Sequence, residues 1–325
     1  MAGRPDFNGL LVLPHIRVQN ANAVSSPLTW GFPAMTAFLG LMWALERKTA
    51  AECELAFQAV GVICHAFEPQ VSRAGYTRAF CLTRNPVNDK GETAAIVEEG
   101  RAHLEISLIF AVTGAGLERD EANRVKLANL IQEALGGLRL AGGSMLPSGP
   151  KIPPRLELLD IDSEDRYQQL RQLRRQTRLI PGYALVARPD CLALRRAELR
   201  TANLPDSPLE AWLDLARLNW RPERSNPGDG PAKITWPQTR AKDGWLVPLP
   251  VGYAAISPLY KVGEVKNARD ESTPFRFVES LYSVGEWIGA HRFRDIREVL
   301  WYAHQDETNG LYLCLNDFKP ATTGE

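Results

Sequence analysis

From Ala102 to Val112 the chain alternates without interruption. Leu104, Ile106, Leu108, Phe110 and Val112 fall on one side and His103, Glu105 and Ser107 on the other. A period of two apolar residues over this length specifies a strand with one apolar face, and that face must be covered by another layer. Two helical stretches can cover it. Pro33 opens one that runs to about Arg47, with Met35, Phe38, Leu39, Met42 and Leu45 on one face; proline is favoured in a first helical turn. The second runs from Glu118 to Leu135, with Leu127, Leu130, Ile131, Ala134 and Leu138 at helical spacing.

Two further strands precede the alternating one, Leu10–Val18 and Phe57–Phe67, the latter with Val60, Val62 and Cys64 on one side. The apolar middle of Gly136–Ser144 supplies a short fourth strand after the second helix. The order strand, helix, strand, insertion, strand, helix, strand is that of a ferredoxin-like βαββαβ domain, placing residues 1–150 in the α+β class. Its helices would cover one face of the sheet and leave the other open for a ligand, often RNA. The open face of the alternating strand carries no aromatics, unlike a base-stacking RRM sheet. Residues 68–100 form the insertion, with turn signals at Ala74-Gly75, Asn85-Pro86 and Asp89-Lys90-Gly91 and a basic set, Arg73, Arg78, Arg84 and Lys90, that suits a hairpin or an arm.

Pro147-Ser148-Gly149-Pro150 marks a break, and residues 151–325 read as an Arg-rich helical and irregular region packed on the first. Arg166–Arg200 holds nine arginines against two acids in a chain of zero net charge. Arg171, Arg174, Arg175 and Arg178 share one helical face, with Leu170, Leu173 and Ile180 on another. Tyr183–Ala187 reads as a strand and Ser207–Trp220 as a helix capped by Ser207. Arg221–Gly244 reads as an exposed loop. Trp245–Tyr260 is strand-like, but its prolines assign it to an edge or a bulge. Pro274–Trp287 and Phe293–His304 read as helices.

The composition excludes several functions. The 325 residues contain no apolar run long enough to span a membrane and no signal-peptide layout at the N-terminus. Five scattered cysteines and five dispersed histidines form no metal-ligand spacing, and the odd cysteine count suits a reducing cytoplasm. No phosphate-binding P-loop, nucleophile elbow or cofactor motif is present. With 38 basic and 38 acidic residues the chain does not coat nucleic acid by bulk charge, so any contact is local.

Candidate local contacts are four. Gln19–Thr29, an amide- and hydroxyl-rich loop before a helix, offers Gln19, Asn20, Asn22, Ser25, Ser26, Thr29 and, just beyond it, Trp30; an ordinary capped loop reads the same way. Gly136–Ser144 offers Arg139, Gly142, Gly143 and Ser144 to phosphate, or is a helix cap followed by a turn. The insertion offers Arg73, Arg78, Arg84 and Asn85. The Arg171, Arg174, Arg175 and Arg178 face tracks phosphates, or else faces a protein partner.

Several long segments resemble one family. Val18-Gln19-Asn20-Ala21-Asn22-Ala23, Ser25 through Pro33, Leu82-Thr83-Arg84-Asn85-Pro86, Thr93 to His103 and Arg139 through Ser144 are similar to the second-subunit family of type I-F CRISPR surveillance (Csy) complexes, within the RAMP superfamily. So are Gly244 through Pro248, Asn267-Ala268-Arg269-Asp270 and Arg276-Phe277-Val278-Glu279. The resemblance runs from about residue 10 to about 312. It implies a non-catalytic, cytoplasmic subunit without cofactor or metal that binds the 5′ handle of the guide RNA (crRNA). It further implies pairing with the large Csy subunit, contact with the backbone subunit and approach to target DNA near the PAM, in antiviral DNA targeting. Guide pairing reads the sequence in such systems, and protein holds shape and backbone. Arg269 and Arg276 join the candidate contacts on the resembling segments. The competing reading is a RAMP-type endoribonuclease that processes guide RNA, with His15 and His103 as its acid–base groups.

Overall fold

The computed structural model describes residues 4–84, 87, 90–93, 96–146, 152–159, 165–217, 220, 222–225, 233–237, 244–268 and 270–320. The first half builds β1 (Gly9–Asn22), α1 (Met35–Cys53), β2 (Ala56–Pro69), the hairpins β3 (Val71–Ala74)–β4 (Thr77–Phe80) and β5 (Leu82–Arg84)–β6 (Ile96–Glu98), then β7 (Arg101–Thr113), α2 (Glu121–Gly136), β8 (Arg139–Leu140) and β9 (Gly143–Leu146). There follow β10 (Arg155–Leu158), α3 (Arg166–Gln176), β11 (Tyr183–Ala187), α4 (Pro189–Thr201), α5 (Pro208–Ala216), a short pair β12 (Glu223–Ser225)–β13 (Lys233–Thr235), and β14 (Leu246–Ala255), β15 (Val278–Gly289), β16 (Leu300–Asp306) and β17 (Leu311–Asn316). This is a mixed α+β molecule, with five helices among the described residues and one large antiparallel sheet.

The N-terminal strands lie in the order β9–β1–β7–β2, every neighbour antiparallel. Leu104, Ile106, Leu108, Phe110 and Val112 all enter one core, with Met35, Phe38, Leu39, Met42 and Leu45 of α1 and Leu127 and Ile131 of α2. The alternation had required that packing. Asp120 caps α2 by accepting the Asn123 N–H, and Ser207 caps α5 by accepting that of Glu210.

The other face of the sheet is not left open along its whole length. Leu10, Val12, Ala59, Ile63, Ile109 and Ala111 form a second core with Leu170 and Leu173 of α3, Leu179, Ala184 and Phe293. The reason lies in β7 and β1 themselves: beyond Ser107 and His15 their outward positions turn apolar, and α3 with its following segment covers them. Only the half carrying Arg17, Gln19, His103 and Glu105 stays polar.

Two expected helices are strands. Val278–Gly289 pairs with β14 on one side and β11 on the other, and Leu300–Asp306 pairs with β17 and with Val60–Gly61 of β2. Where both faces are buried, from Val284 onward in β15 and over Leu300–Tyr302 in β16, apolar residues lose strand alternation, which imitates a helical period. Phe293 onward gives only one 3-10 turn, Ile296–Val299, capped by Asp295. The proline-bearing strand β14 lies inside the sheet, not at an edge. Its Pro248 and Pro250 are nevertheless paired on the β15 side alone, since β17 joins only at Gly252–Ala254 past an irregularity in register.

β11 also pairs with β2 at Tyr183–Ala184. The pairings therefore close a ring, β2–β16–β17–β14–β15–β11 and back to β2. Trp301 is completely buried, and its indole N–H donates to the Leu185 carbonyl at 2.8 Å.

Candidate nucleic-acid interface

Two irregularities re-aim β1. Its register against β7 shifts between Leu13 and Ile16 and again between Val18 and Ala21, and each shift holds a residue at positive φ, His15 at 51° and Asn20 at 59°. Such bulges turn a side chain out of the strand's regular alternation.

His15 is directed into a hydrogen-bonded stack. Its Nδ1 lies 2.6 Å from Glu105 Oε1 and its Nε2 3.0 Å from the Arg178 carbonyl. Its ring lies 4.1 Å from that of His65, nearly parallel. The His15 N–H donates to Ser107 Oγ, the Ser107 hydroxyl is placed to donate to His65 Nε2 at 2.8 Å, and His65 Nδ1–H meets the Pro181 carbonyl at 2.7 Å. Burial pushes the His65 imidazole below its ordinary value, with the Pro181 carbonyl opposing. The stack pins the segment 178–182, which follows α3, to the sheet.

Asn20 belongs to a more exposed cluster. Its N–H donates to His103 Nδ1, the Gln70 amide reaches both its side-chain oxygen and His103, and Arg101 reaches its carbonyl at 3.4 Å. Arg101 is itself held by Glu99. Beside this cluster Arg17, Gln19, Glu68, His103, Glu105 and Leu146 border a cleft of about 240 Å³ on the polar half of the sheet.

The Gly-rich segment is a tight hairpin. Ala141 and Gly142 both have positive φ, 47° and 75°, as a two-residue turn with the twist of its strands demands. Gly143 faces β1 so closely that a Cβ would lie 2.7 Å from the Ala21 nitrogen and 2.8 Å from the Gln19 carbonyl oxygen. Ser144 therefore lies opposite Gln19, exposed, and Arg139 is exposed with a contact to the Gly142 carbonyl. Gly137 sits at the helix end with negative φ; its missing side chain admits Lys48 Nζ, which bonds the Ala134 carbonyl.

The arm β3–β4 starts where β2 leaves the sheet. Arg73 and Arg78 are direct cross-strand partners, both exposed, with Tyr76 fully exposed at the tip. At the base of the arm Phe80 meets Trp30, ring centroids 5.7 Å apart, and Trp30 packs on Gly100 while remaining 42% exposed. Like charges directly opposed across a hairpin destabilise it, so this pair is suited to a polyanion between or beside the two side chains.

Other candidates are committed to the fold. Asn22 braces Val24, Ser25 accepts the Ala34 N–H at the start of α1, and the buried hydroxyls of Ser26 and Thr29 bond each other at 2.6 Å. Arg174 does not share the exposed face of Arg171 and Arg175, and Arg178, though exposed, lies past the end of α3 at a φ of 50° and so leaves that face too. Arg174 is buried, lies 4.2 Å over the Phe293 ring and donates to the Phe293 carbonyl. Arg276 is half-buried beside the Glu307–Gly310 turn. Asn85 and Arg269 lie outside the described residues, and of Arg84 only the backbone, in β5, is described. Gln70, Arg101, Tyr76 and Phe80 join the arm end of the sheet without being singled out by composition or spacing, although Arg101 opens the alternating strand on its polar side.

Over residues 11–314 the chain matches the family described as CRISPR-associated protein (Cas_Csy2). The chain belongs to the Csy2 family. It is 47% identical over 313 residues to CRISPR-associated protein Csy2 of Pseudomonas aeruginosa (strain UCBPP-PA14), an alignment covering 94% of this chain and 95% of that protein. As a Csy2 protein it is a subunit of the type I-F Csy complex of CRISPR antiviral defence, among Csy subunits and crRNA. Among the described residues no helix is long and apolar enough to cross a membrane, and no cluster of side chains suits a metal ion.

Proposed function

We propose that this subunit is non-catalytic and holds the 5′ handle of the crRNA at the arm end of the sheet, while pairing with the large Csy subunit. Its βαββαβ unit, residues 1–150, is read as a ferredoxin-like RAMP domain with residues 151–325 packed on it, in keeping with the strand order β9–β1–β7–β2. One observation carries the reading. Polar or basic residues from separate segments converge on a single end of the sheet: Gln19 and Asn20, the facing Ser144, Arg101 and His103, and the arm with Arg73 and Arg78, at whose base Trp30 meets Phe80. Arginines interleaved with exposed aromatics are the chemistry of single-strand binding, in which bases stack and the backbone meets guanidinium groups. Both ring nitrogens of His15 face protein acceptors, which supports a role in the fold over one in RNA cleavage.

The test is assembly of the complex on a guide RNA with Arg73, Arg78 and Arg139 replaced by serine. Handle protection should fall, and the salt slope of binding should shrink by about 0.7 log unit for each lost phosphate contact. Unchanged protection and slope would sink this assignment. Cleavage of a repeat RNA that disappears in His15→Ala would favour the endoribonuclease reading.

A further inference from the structure

The cleft on the polar half of the sheet carries opposite charges on its two sides. Arg17 on β1, Glu105 on β7 and Ala66 on β2 lie opposite one another in one row across the three strands. In the next row of the same face His103 lies opposite Glu68. With β7 between them, the backbones of β1 and β2 run about 10 Å apart. Glu105 is committed to the fold, since its Oε1 lies 2.6 Å from His15 Nδ1. Arg17 and Glu68 are both exposed, and no described residue bonds to either side chain. At about 240 Å³ the cleft is smaller than a drug-sized pocket and suits one flat ring system.

An unpaired carboxylate beside a guide RNA repels phosphate, so Glu68 is suited to a group that donates hydrogen bonds. We infer that the cleft takes a single unstacked guanine of the RNA, with Glu68 on its Watson–Crick edge and Arg17 on its O6/N7 edge. Guanine carries two adjacent donors, N1–H and N2–H, which match the two oxygens of one carboxylate, and its O6 and N7 accept from an arginine. Adenine and cytosine set a ring acceptor beside their amino group, which a carboxylate oxygen repels. Uracil offers one N–H between two carbonyls. Splayed bases of single-stranded RNA are read on just these edges. The inference rests on the guide contact proposed above and adds a base preference to it, which the stacking and phosphate contacts of the arm do not supply.

The full chain is titrated with labelled oligouridines of about eight nucleotides that carry one central guanosine, inosine, adenosine or cytidine. Inosine keeps N1–H, O6 and N7 and lacks only the 2-amino group. The guanosine oligomer should bind about tenfold tighter than the inosine one, the scale of one hydrogen bond to a charged group. Glu68→Gln should bring that ratio close to one. Arg17→Ala should weaken the guanosine and inosine oligomers alike and keep the ratio between them. Equal affinity of the wild-type chain for guanosine and inosine overturns the inference, and so does a guanosine preference that survives in Glu68→Gln. If Arg73→Ser with Arg78→Ser still weakens every oligomer in those cases, the guide contact stands without a guanine site. A full chain that binds none of the oligomers overturns both.

Discussion

Gly143 shows how a residue that resembles a ligand loop can be demanded by the fold alone. A methyl group there would meet β1 backbone at 2.7–2.8 Å, whereas at Gly142 it would meet nothing and suffer only from a φ of 75°. Gly143→Ala should therefore cost about 1–3 kcal/mol through overpacking, and Gly142→Ala about 1 kcal/mol through backbone strain. Denaturant unfolding of the two variants checks this order, and a larger loss for Gly142→Ala would contradict it. His65 has a pH signature. Above about pH 6.5 its imidazole is neutral in folded and unfolded chains alike; below that the unfolded chain takes up a proton that buried His65 resists, so stability falls as pH drops. Unfolding measured from pH 7.5 to 5.5 should show this decline, and His65→Gln should flatten it. A variant with the wild-type slope would show that another group is responsible.

At the scale of elements, the arm ties stability and binding together with opposite signs. Arg73→Glu places an acid directly across from Arg78, and cross-strand ion pairs stabilise by about 0.2–1 kcal/mol. The same change removes a cation from the proposed RNA contact. Amide exchange within residues 71–80 should slow while affinity for the guide falls; a variant that gains protection and keeps full affinity would show that the pair is not there for RNA. Both long helices and the strand Arg101–Thr113 were legible through the periodicity of their buried faces, and the arm through its turn signals, whereas the fourth strand on β1 is Gly143–Leu146 and not the apolar run before it. The Arg face was half legible: spacing grouped Arg174 with Arg171 and Arg175, but the position of Phe293, 119 residues away, draws Arg174 inward. In Gln19–Thr29 the sequence did not separate the end of β1, which carries Gln19 and Asn20, from Ser25, Ser26 and Thr29, because hydroxyls that brace a turn look in sequence like those that bind a ligand.

At the scale of the molecule, the hidden feature is the closed ring of strands. The second half of β15 and the first residues of β16 are buried on both faces, which erases alternation there, and their partners lie far away in sequence, so local pattern gave helices instead. Pairing of β2 with β7 along one edge and with β16 and β11 along the other makes it common to both halves of the chain. The apparent break near Pro147–Pro150 therefore divides the sequence without dividing the sheet. A fragment ending at residue 159 keeps β10 on β1 but strips the cover from Leu10, Val12, Ala59, Ile63, Ile109 and Ala111 and leaves one edge of β2 unpaired. It should bind a hydrophobic dye and lose cooperative thermal unfolding, whereas the full chain should unfold in one transition followed alike by circular dichroism and tryptophan fluorescence. A fragment that melts cooperatively at the full-length midpoint would show that the N-terminal unit is stable without the ring.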